Sequence, residues 1–253
     1  MTSNVSYPDL ENRRVLVTGS SSGIGLACAE AFLGQGARVA AHYRAGVGPV
    51  EGLARRHSGR VIALRADLAT EDGCVAAVAE AVEGLGGLDV LVHSAGIWDD
   101  GPIRDLSREV LERMFRTNTF SGYYLAREAC RVMKTGSLIY IGSTAGQRGE
   151  PGHSHYAGSK GAMQSMVQSL AQELAPDIRV NLVSPGWVRT PMSEAALARR
   201  ESAIVSVVPL KRVAEAEDVA AGVLFLASDA AGRHLTGVDL CCSGGALLPM
   251  PRG

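Results

Sequence analysis

Tyr156 and Lys160 stand four residues apart within residues 155–174, a run whose apolar positions recur at helical spacing, so the two side chains share one helical face. That pairing carries acid/base potential. A phenol is a poor base at neutral pH because its ordinary pKa is about 10. A neighbouring ammonium favours the phenolate and lowers that value. At about 4 Å and an effective dielectric near 20 the attraction is on the order of 4 kcal/mol, or roughly three pKa units. Arginine would bring the same charge in a flat fork that sits differently. Of 25 basic residues only Lys134, Lys160 and Lys211 are lysines, so a lysine at this position is not what the chain's habit would supply. Further along the run Met163, Val167, Leu170 and Leu174 read as a core-facing stripe. A Tyr-x-x-x-Lys pair alone is weak evidence, since such pairs arise by chance.

A second constellation is the turn TGSSSGIG at residues 18–25. It joins a short apolar run, residues 14–18, to a helical pattern, residues 23–33, in which Ile24, Ala27, Cys28, Ala31 and Phe32 fall on one side. Glycine permits positive φ and close backbone approach. A helix start offers unpaired N–H groups and the positive end of the dipole, which suits a pyrophosphate. Gly19, Ser21, Ser22, Gly23, Ile24 and Gly25 are therefore candidate phosphate-cradling positions. The plain alternative is a tight connection with no ligand. The glycine spacing also differs from the commonest dinucleotide fingerprint, in which glycines occupy the first, third and sixth positions.

These residues need a frame to hold them. Apolar runs at residues 14–18, 37–42, 61–64, 88–92, 137–141, 180–183 and 238–241 read as strands. Helical patterns at residues 23–33, 70–82, 108–133, 155–174 and 217–227 alternate with them. Thr70 is the expected N-cap of its helix, with Glu71 and Asp72 in the first turn. Pro176 stops the helix that carries Tyr156. Strands apolar nearly throughout are expected where both sheet faces are covered. The fold class implied is α/β: a Rossmann-like, doubly wound, seven-stranded parallel sheet with helices on both faces. No linker, repeat or low-complexity stretch divides the 253 residues, so residues 1–253 are expected to form a single domain.

Composition narrows the function classes. The chain is 46% hydrophobic and 20% charged, with a net charge of −1, which offers no field for nucleic acid or an anionic membrane. The longest apolar run, residues 219–227, is far short of the roughly 20 residues a spanning helix needs. Residues 1–10 are polar, without a signal-peptide apolar region. The five cysteines, at 28, 74, 130, 241 and 242, are odd in number and lack zinc-ligand spacing, so no metal site is expected. They read as reduced thiols in a cytoplasmic protein.

The glycine spacing matches the TGxxxGxG form, and on this and the landmarks that follow it the chain resembles the short-chain dehydrogenase/reductase family. Asp67-Leu68 follows the third strand, where relatives place an Asp on adenine. Residues 93–96, HSAG, stand where the family usually has NNAG. This departure leaves the backbone role of Ser94, Ala95 and Gly96 open but puts the strand-bracing contacts of the asparagine in doubt. Asn118 lies mid-helix, Ser143 ends the fifth strand, and YAGSK at residues 156–160 begins thirteen residues later. Residues 185–190, PGWVRT, resemble the PGxVxT segment beside the nicotinamide, through Pro185, Gly186, Val188 and Thr190.

The resemblance implies an NAD(P)-binding catalytic domain and hydride exchange between a nicotinamide cofactor and a ketone or secondary alcohol. A nicotinamide moves hydride but not the accompanying proton, so a side chain must supply or take it. That role falls to Tyr156. Lys160 would also bind the nicotinamide ribose, Ser143 would hold the substrate carbonyl, and Asn118 would support a proton-relay water. An acid after the second strand would select NAD by accepting the free ribose hydroxyls. Here that position holds Tyr43, and Arg44 follows, which can pair with a 2′-phosphate. NADP(H) is the expected cofactor, with NAD(H) the alternative, although Ser20-Ser21 stand where many NADP-dependent relatives carry a basic residue. Trp98, residues 147–155, Trp187 and residues 192–209 are the expected substrate side, the last as a polar lid. His153 and His155 read as packing residues rather than substrate donors. The chain resembles 3-oxoacyl-[acyl-carrier-protein] reductases and related ketone reductases, which implies a 3-oxoacyl or other small ketone substrate. A non-catalytic nucleotide-binding protein and a lyase-like relative without nicotinamide are the competing readings. A homotetramer is expected, or a dimer, with residues 247–253 as an interface or tail.

Overall fold

A computed structural model describes residues 5–249; the expectations for residues 1–4 and 250–253 lie outside it. Seven strands, β1 (Arg14–Val17), β2 (Arg38–Tyr43), β3 (Val61–Arg65), β4 (Val90–His93), β5 (Gly136–Ile141), β6 (Ile178–Pro185) and β7 (Asp239–Cys242), pair in the order β3-β2-β1-β4-β5-β6-β7. Every pairing is parallel. Parallel neighbours need crossovers, and the crossover helices cover both faces. The helices are α1 (Gly23–Gly34), α2 (Gly48–Arg56), α3 (Glu71–Leu85), α4 (Arg108–Phe115), α5 (Ser121–Val132), α6 (Thr144–Arg148), α7 (Ser154–Leu174), α8 (Glu194–Val207), α9 (Ala216–Ala227) and α10 (Asp229–Gly232).

The period-two alternation of the strands divides the core into two layers. Val15, Val17, Val39, Ile139 and Val183 face Phe32 and Leu33 of α1 and Val223 and Leu224 of α9. Leu16, Leu91, Leu138 and Leu182 face Val78 of α3, Leu125 of α5 and Met163 and Val167 of α7. Burying each such side chain is worth about 1.5–3 kcal/mol, so a one-residue slip of register would expose a whole row. Thr70 caps α3 by accepting from the Gly73 N–H at 3.1 Å, and the helix ends at Gly86 with φ 78.

Four helices went unread in the sequence pattern, among them the single turn α10. α2 is short, opens on a Pro and buries only Val50 and Leu53. α6 is a single turn after β5. Residues 192–209, expected as a polar lid, carry α8, which turns Ala196, Leu197 and Ile204 inward against Val208, Val213 and Trp187. The pattern over residues 108–133 is not one α-helix: a π-helical turn at Arg116–Phe120 separates α4 from α5.

The crevice that matters lies where the strand order reverses, because β1 is flanked by β2 on one side and by β4 on the other. The glycine turn runs over the carboxyl end of β1 there. A Cβ on Gly25 would lie 2.3 Å from the Gly19 carbonyl oxygen, a backbone atom that cannot swing away. Gly25→Ala is therefore expected to destabilise the fold by about 1–3 kcal/mol, as overpacking does. Urea denaturation at matched conditions checks it, and an unchanged midpoint would mean that the turn relaxes freely.

Candidate active site

The turn is anchored from beneath. The Thr18 hydroxyl oxygen accepts the backbone N–H groups of Ser94 and Ala95, each at 3.0 Å, which ties the end of β1 to the end of β4. With both acceptances made, its proton goes to His93 Nδ1 at 3.1 Å. His93 is then the Nε2–H tautomer and donates to the Ser121 hydroxyl at 3.1 Å. Ser121 donates in turn to the Thr117 carbonyl at 2.7 Å, inside the π-helical turn. Every proton in the chain has one consistent place. The histidine that stands for the usual asparagine thus braces β1, β4 and α5 together. Burial holds its pKa down to about 3, and the Lys160 charge adds to the effect.

A second histidine, unsuspected in the sequence, sits above. His42 Nδ1 accepts the Gly19 N–H at 3.1 Å while its Nε2 faces the Ala66 carbonyl at 3.1 Å, so Nε2 carries the proton. Burial lowers its pKa, which keeps the accepting nitrogen free. Its signal was its place at the end of a strand beside the glycine turn. Gly23 has φ 52 and would meet Thr190 Cγ2 at 3.0 Å with a Cβ, so the turn and the segment after β6 close on one another.

A cavity of about 420 Å³ opens between these segments. The glycine turn with Ser21, Ser22 and Ile24 forms its floor. Arg44, Asp67 and Leu68 line it beyond β2 and β3, and Ser94, Ala95 and Gly96 beyond β4. Pro185, Gly186, Val188 and Thr190 line it after β6, and Ser143, Tyr156 and Lys160 from α6 and α7. Of the substrate-side segments only Arg148, Glu150, Met192 and Ser193 reach the lining, beside Trp98 and Trp187, and of the candidate catalytic and cofactor-binding residues only Asn118 stays out of it. It is fully buried: Oδ1 accepts the Ile97 N–H at 2.8 Å, and Nδ2 donates to the Ile97 carbonyl at 3.0 Å and to Ser159 Oγ at 3.1 Å. Its side chain fastens the segment after β4 to α7; the cavity is reached at this point by Thr117, inside the same π-helical turn.

Ser143 caps α6, its oxygen accepting the Ala145 N–H at 3.1 Å, so its own proton is available elsewhere. Lys160 is buried, and Nζ donates to the Ile141 carbonyl at 2.7 Å. It stands 6.0 Å from the centroid of the Tyr156 ring. Burial lowers its pKa to about 8. Tyr156 keeps part of its surface in the cavity, yet the protein crowded around it pushes its pKa up to about 12. A hydrogen bond with Ser143 works against that rise, and the Glu150 carboxylate adds to it. From the chain's own groups, then, desolvation outweighs the hydrogen bond with Ser143, and the phenol is a held acid at neutral pH.

The other end of the cavity is aromatic. Trp98 stacks on His153 with centroids 4.5 Å apart and planes within 6°, and it meets Trp187 edge to face at 6.0 Å. The Arg200 guanidinium covers Trp187 at 4.9 Å from α8. His153 and His155 are buried behind this wall and do not line the cavity, so they act in packing.

The cavity suits a dinucleotide on three counts: a floor that a Cβ would fill, free N–H groups at the start of α1, where Ser22 gives no side-chain cap, and cationic groups at both ends, Arg44 and Lys160. The comparisons agree. A family described as Enoyl-(Acyl carrier protein) reductase matches residues 19–246. L-rhamnose 1-dehydrogenase (NAD(P)(+)) of Azotobacter vinelandii is 36% identical over 249 residues, covering 93% of this chain and 97% of that one. A short-chain dehydrogenase/reductase described as glucose/ribitol dehydrogenase from Brucella melitensis superposes with TM-score 0.91 at 34% identity, over 97% of this chain and all 100% of the other. A short-chain dehydrogenase from Burkholderia cenocepacia, solved in complex with NADP, gives 0.89 at 33% identity, over 94% of this chain and 99% of that one.

Two stability predictions follow from the buried charges. His93 has a folded pKa near 3 against an ordinary 6.5, so the unfolded chain takes up a proton first as pH falls. His93→Asn is expected to flatten the loss of unfolding free energy between pH 6.5 and 4, read from urea melts across that range; an unchanged slope would remove His93 from the account. Lys160 is the opposite case of a cation kept where it is costly. Below its folded pKa of about 8 that cost is fully present, and it fades as pH rises from there towards the ordinary 10.5. Lys160→Met should raise the melting temperature at pH 7, and the gain should shrink between pH 8 and 10.

Proposed function

The chain belongs to the short-chain dehydrogenase/reductase family, and on that premise we propose that it is an NADP(H)-dependent enzyme, a single catalytic domain, that interconverts a ketone and a secondary alcohol with Tyr156 as the acid/base. The observation that carries this reading is the grouping of Ser143, Tyr156 and Lys160 at the end of a cavity whose floor is the glycine turn.

The cofactor supplies or takes the hydride. The rest is the work of the side chains. Ser143 has its oxygen occupied by the Ala145 N–H, so its proton is free to hold the ketone oxygen in place. Tyr156, pushed up to about 12, is protonated at neutral pH and holds the proton an alkoxide needs. Lys160, fastened to the Ile141 carbonyl, keeps a cation beside the phenol that stabilises it once the proton has left. Asn118 acts through the backbone: it locks the segment after β4 and the π-helical turn in one arrangement. An intact set of these groups leaves no observation in favour of a non-catalytic or lyase-like reading.

For the cofactor, Arg44 is exposed at the cavity and meets no carboxylate within 4 Å among the described residues, so its fork is available for a 2′-phosphate. Tyr43 occupies the place of a discriminating acid and does not line the cavity. For assembly, Leu111, Phe120, Tyr123 and Val132 leave apolar surface exposed along α4 and α5, which supports a homotetramer, or a dimer, through this face. No helix among the described residues is long and apolar enough to cross a membrane.

Titration of the purified protein with NADPH and NADH, followed by nucleotide fluorescence, tests the cofactor. NADPH is expected to bind more tightly. Arg44→Ala should weaken NADPH about 10- to 100-fold, the value of a charge-assisted hydrogen bond, and leave NADH within about threefold. Tighter binding of NADH would refute the preference. Tyr156→Phe is expected to abolish ketone reduction while NADPH still binds; substantial residual turnover would sink the assignment of the proton to Tyr156.

A further inference from the structure

Five charged side chains line the cavity among the described residues: Arg44, Asp67, Arg148, Glu150 and Lys160. Arg44 and Asp67 stand beyond β2 and β3, and Lys160 lies beneath the nicotinamide end. That leaves Arg148 and Glu150, both from the connection between α6 and α7, to face whatever is reduced or oxidised. The two are not held alike. Arg148 is exposed at the end of α6 and meets no carboxylate within 4 Å among the described residues. Glu150 is drawn in: its side chain is only 19% exposed. The indole N–H of Trp98 donates to its Oε2 at 3.3 Å, and Trp98 is itself fixed by the stack on His153 and the edge contact with Trp187. His153 Nδ1, at 3.8 Å from Oε1, donates to the Pro151 carbonyl instead.

Among the described residues the Glu150 carboxylate therefore takes one long hydrogen bond from a neutral donor and no ion pair with Lys or Arg. A carboxylate has about four acceptor positions, and a partly buried one is costly unless more of them are filled. A substrate bound in the cavity can supply a further donor in place of solvent. Its negative charge also reaches the reacting end, where it resists ionisation of Tyr156. A substrate anion at the same place would meet that charge and the developing alkoxide together. A hydroxyl meets neither difficulty and fills the vacant acceptor. The two indoles supply apolar walls that suit the C–H surface of a hydroxylated skeleton.

We propose that Glu150, aimed by Trp98, reads a hydroxyl group next to the reacting carbon, so that the substrate is an uncharged hydroxyketone or its vicinal diol rather than a keto acid or an acyl thioester. This rests on the reductase reading above and deepens it. The residue is a specificity determinant and makes no claim on the proton transfer itself. A site built to bond a substrate hydroxyl discriminates strongly against the analogue that lacks it, because its buried acceptor is then left unpaired.

The test compares NADPH-dependent reduction of 3-hydroxybutan-2-one, butan-2-one and acetoacetate, the first two differing by one hydroxyl. For the wild type, the ratio of kcat/KM for the hydroxyketone over butan-2-one is expected to be about tenfold or more, with acetoacetate the poorest. In Glu150→Ala the ratio should collapse towards one, and in Glu150→Gln, which keeps a neutral acceptor, it should fall between. Thermal melts of each variant check that folding is retained, and Trp98→Phe, which removes the aiming N–H together with part of the aromatic wall, should lower the ratio without the loss of a charge. A wild-type ratio near one, a ratio indifferent to Glu150, or a preference for acetoacetate that Arg148→Ala abolishes would overturn the proposal and give the recognition to Arg148. Binding of NADPH with no reduction of any of the three ketones would overturn the substrate class and leave the cofactor reading standing. Failure to bind NADPH would overturn the reading on which it rests.

Discussion

The Thr18 hydroxyl joins two strands that the chain order keeps apart. β1 and β4 lie side by side, and each ends in a loop that would drift away from the other without a tie. One oxygen receives the N–H groups of Ser94 and Ala95, and its single proton is committed to His93. The crevice between these loops exists because they leave the sheet in opposite directions, and it has a defined width because this hydroxyl holds them. The glycines are a consequence of that closeness. A Cβ on Gly19 would stand 3.0 Å from the Ala95 Cα, so the turn accepts no side chain there. The same network reaches Thr117 through Ser121, and so sets the π-helical turn from which Asn118 reaches Ser159 of α7.

Burial does the electrical work in this site, and it acts in opposite senses on neighbouring groups. It keeps His93 neutral, so its two nitrogens retain distinct roles as acceptor and donor. It lowers Lys160 to about 8 and raises Tyr156 to about 12. Both groups are thereby disfavoured in their charged forms, and a transfer that leaves a phenolate next to an ammonium relieves each by the other's charge. A cation retained in the interior at a cost to folding is the expected pattern where function rather than packing sets the residue type.

Much of this was legible in the residues, and the reason is that the frame is repetitive. Strands buried on both faces must be apolar throughout, so all seven were visible as runs, and Thr70 and Pro176 marked helix ends by simple hydrogen-bond arithmetic. What escaped was local or relational. α2 buries two side chains and α6 is one turn long, so neither leaves a period to detect. The residues 108–133 hold a good helical period across the π-helical turn, because one extra residue in a turn shifts the phase by too little to be seen in a short pattern. The Tyr156–Lys160 spacing gave the shared face but not the partner beneath it: a shared helical face does not reveal that Nζ also bonds the Ile141 carbonyl. His42 and His93 were invisible as site residues because their roles depend on partners more than twenty positions away.

The connection between β5 and α7 concentrates what remains specific to this chain. Ser143 begins it, capping α6, and Tyr156 lies just past its end, so the two groups proposed to act on the reacting oxygen are set by either end of one short stretch. Gly146 lets α6 lie directly on α7, where a Cβ would stand 2.8 Å from the Gly161 nitrogen. Between these fixed points Arg148 and Glu150 project at the cavity, and one indole N–H from across the crevice decides which of them is drawn inside. Changes in the stretch can therefore retune the charge offered to a substrate without moving the serine, the tyrosine or the lysine. On the proposed reading chemistry is held by the sheet and by α7, and selectivity by a loop fastened at both ends, which is why the first could be read from spacing and the second needed the geometry.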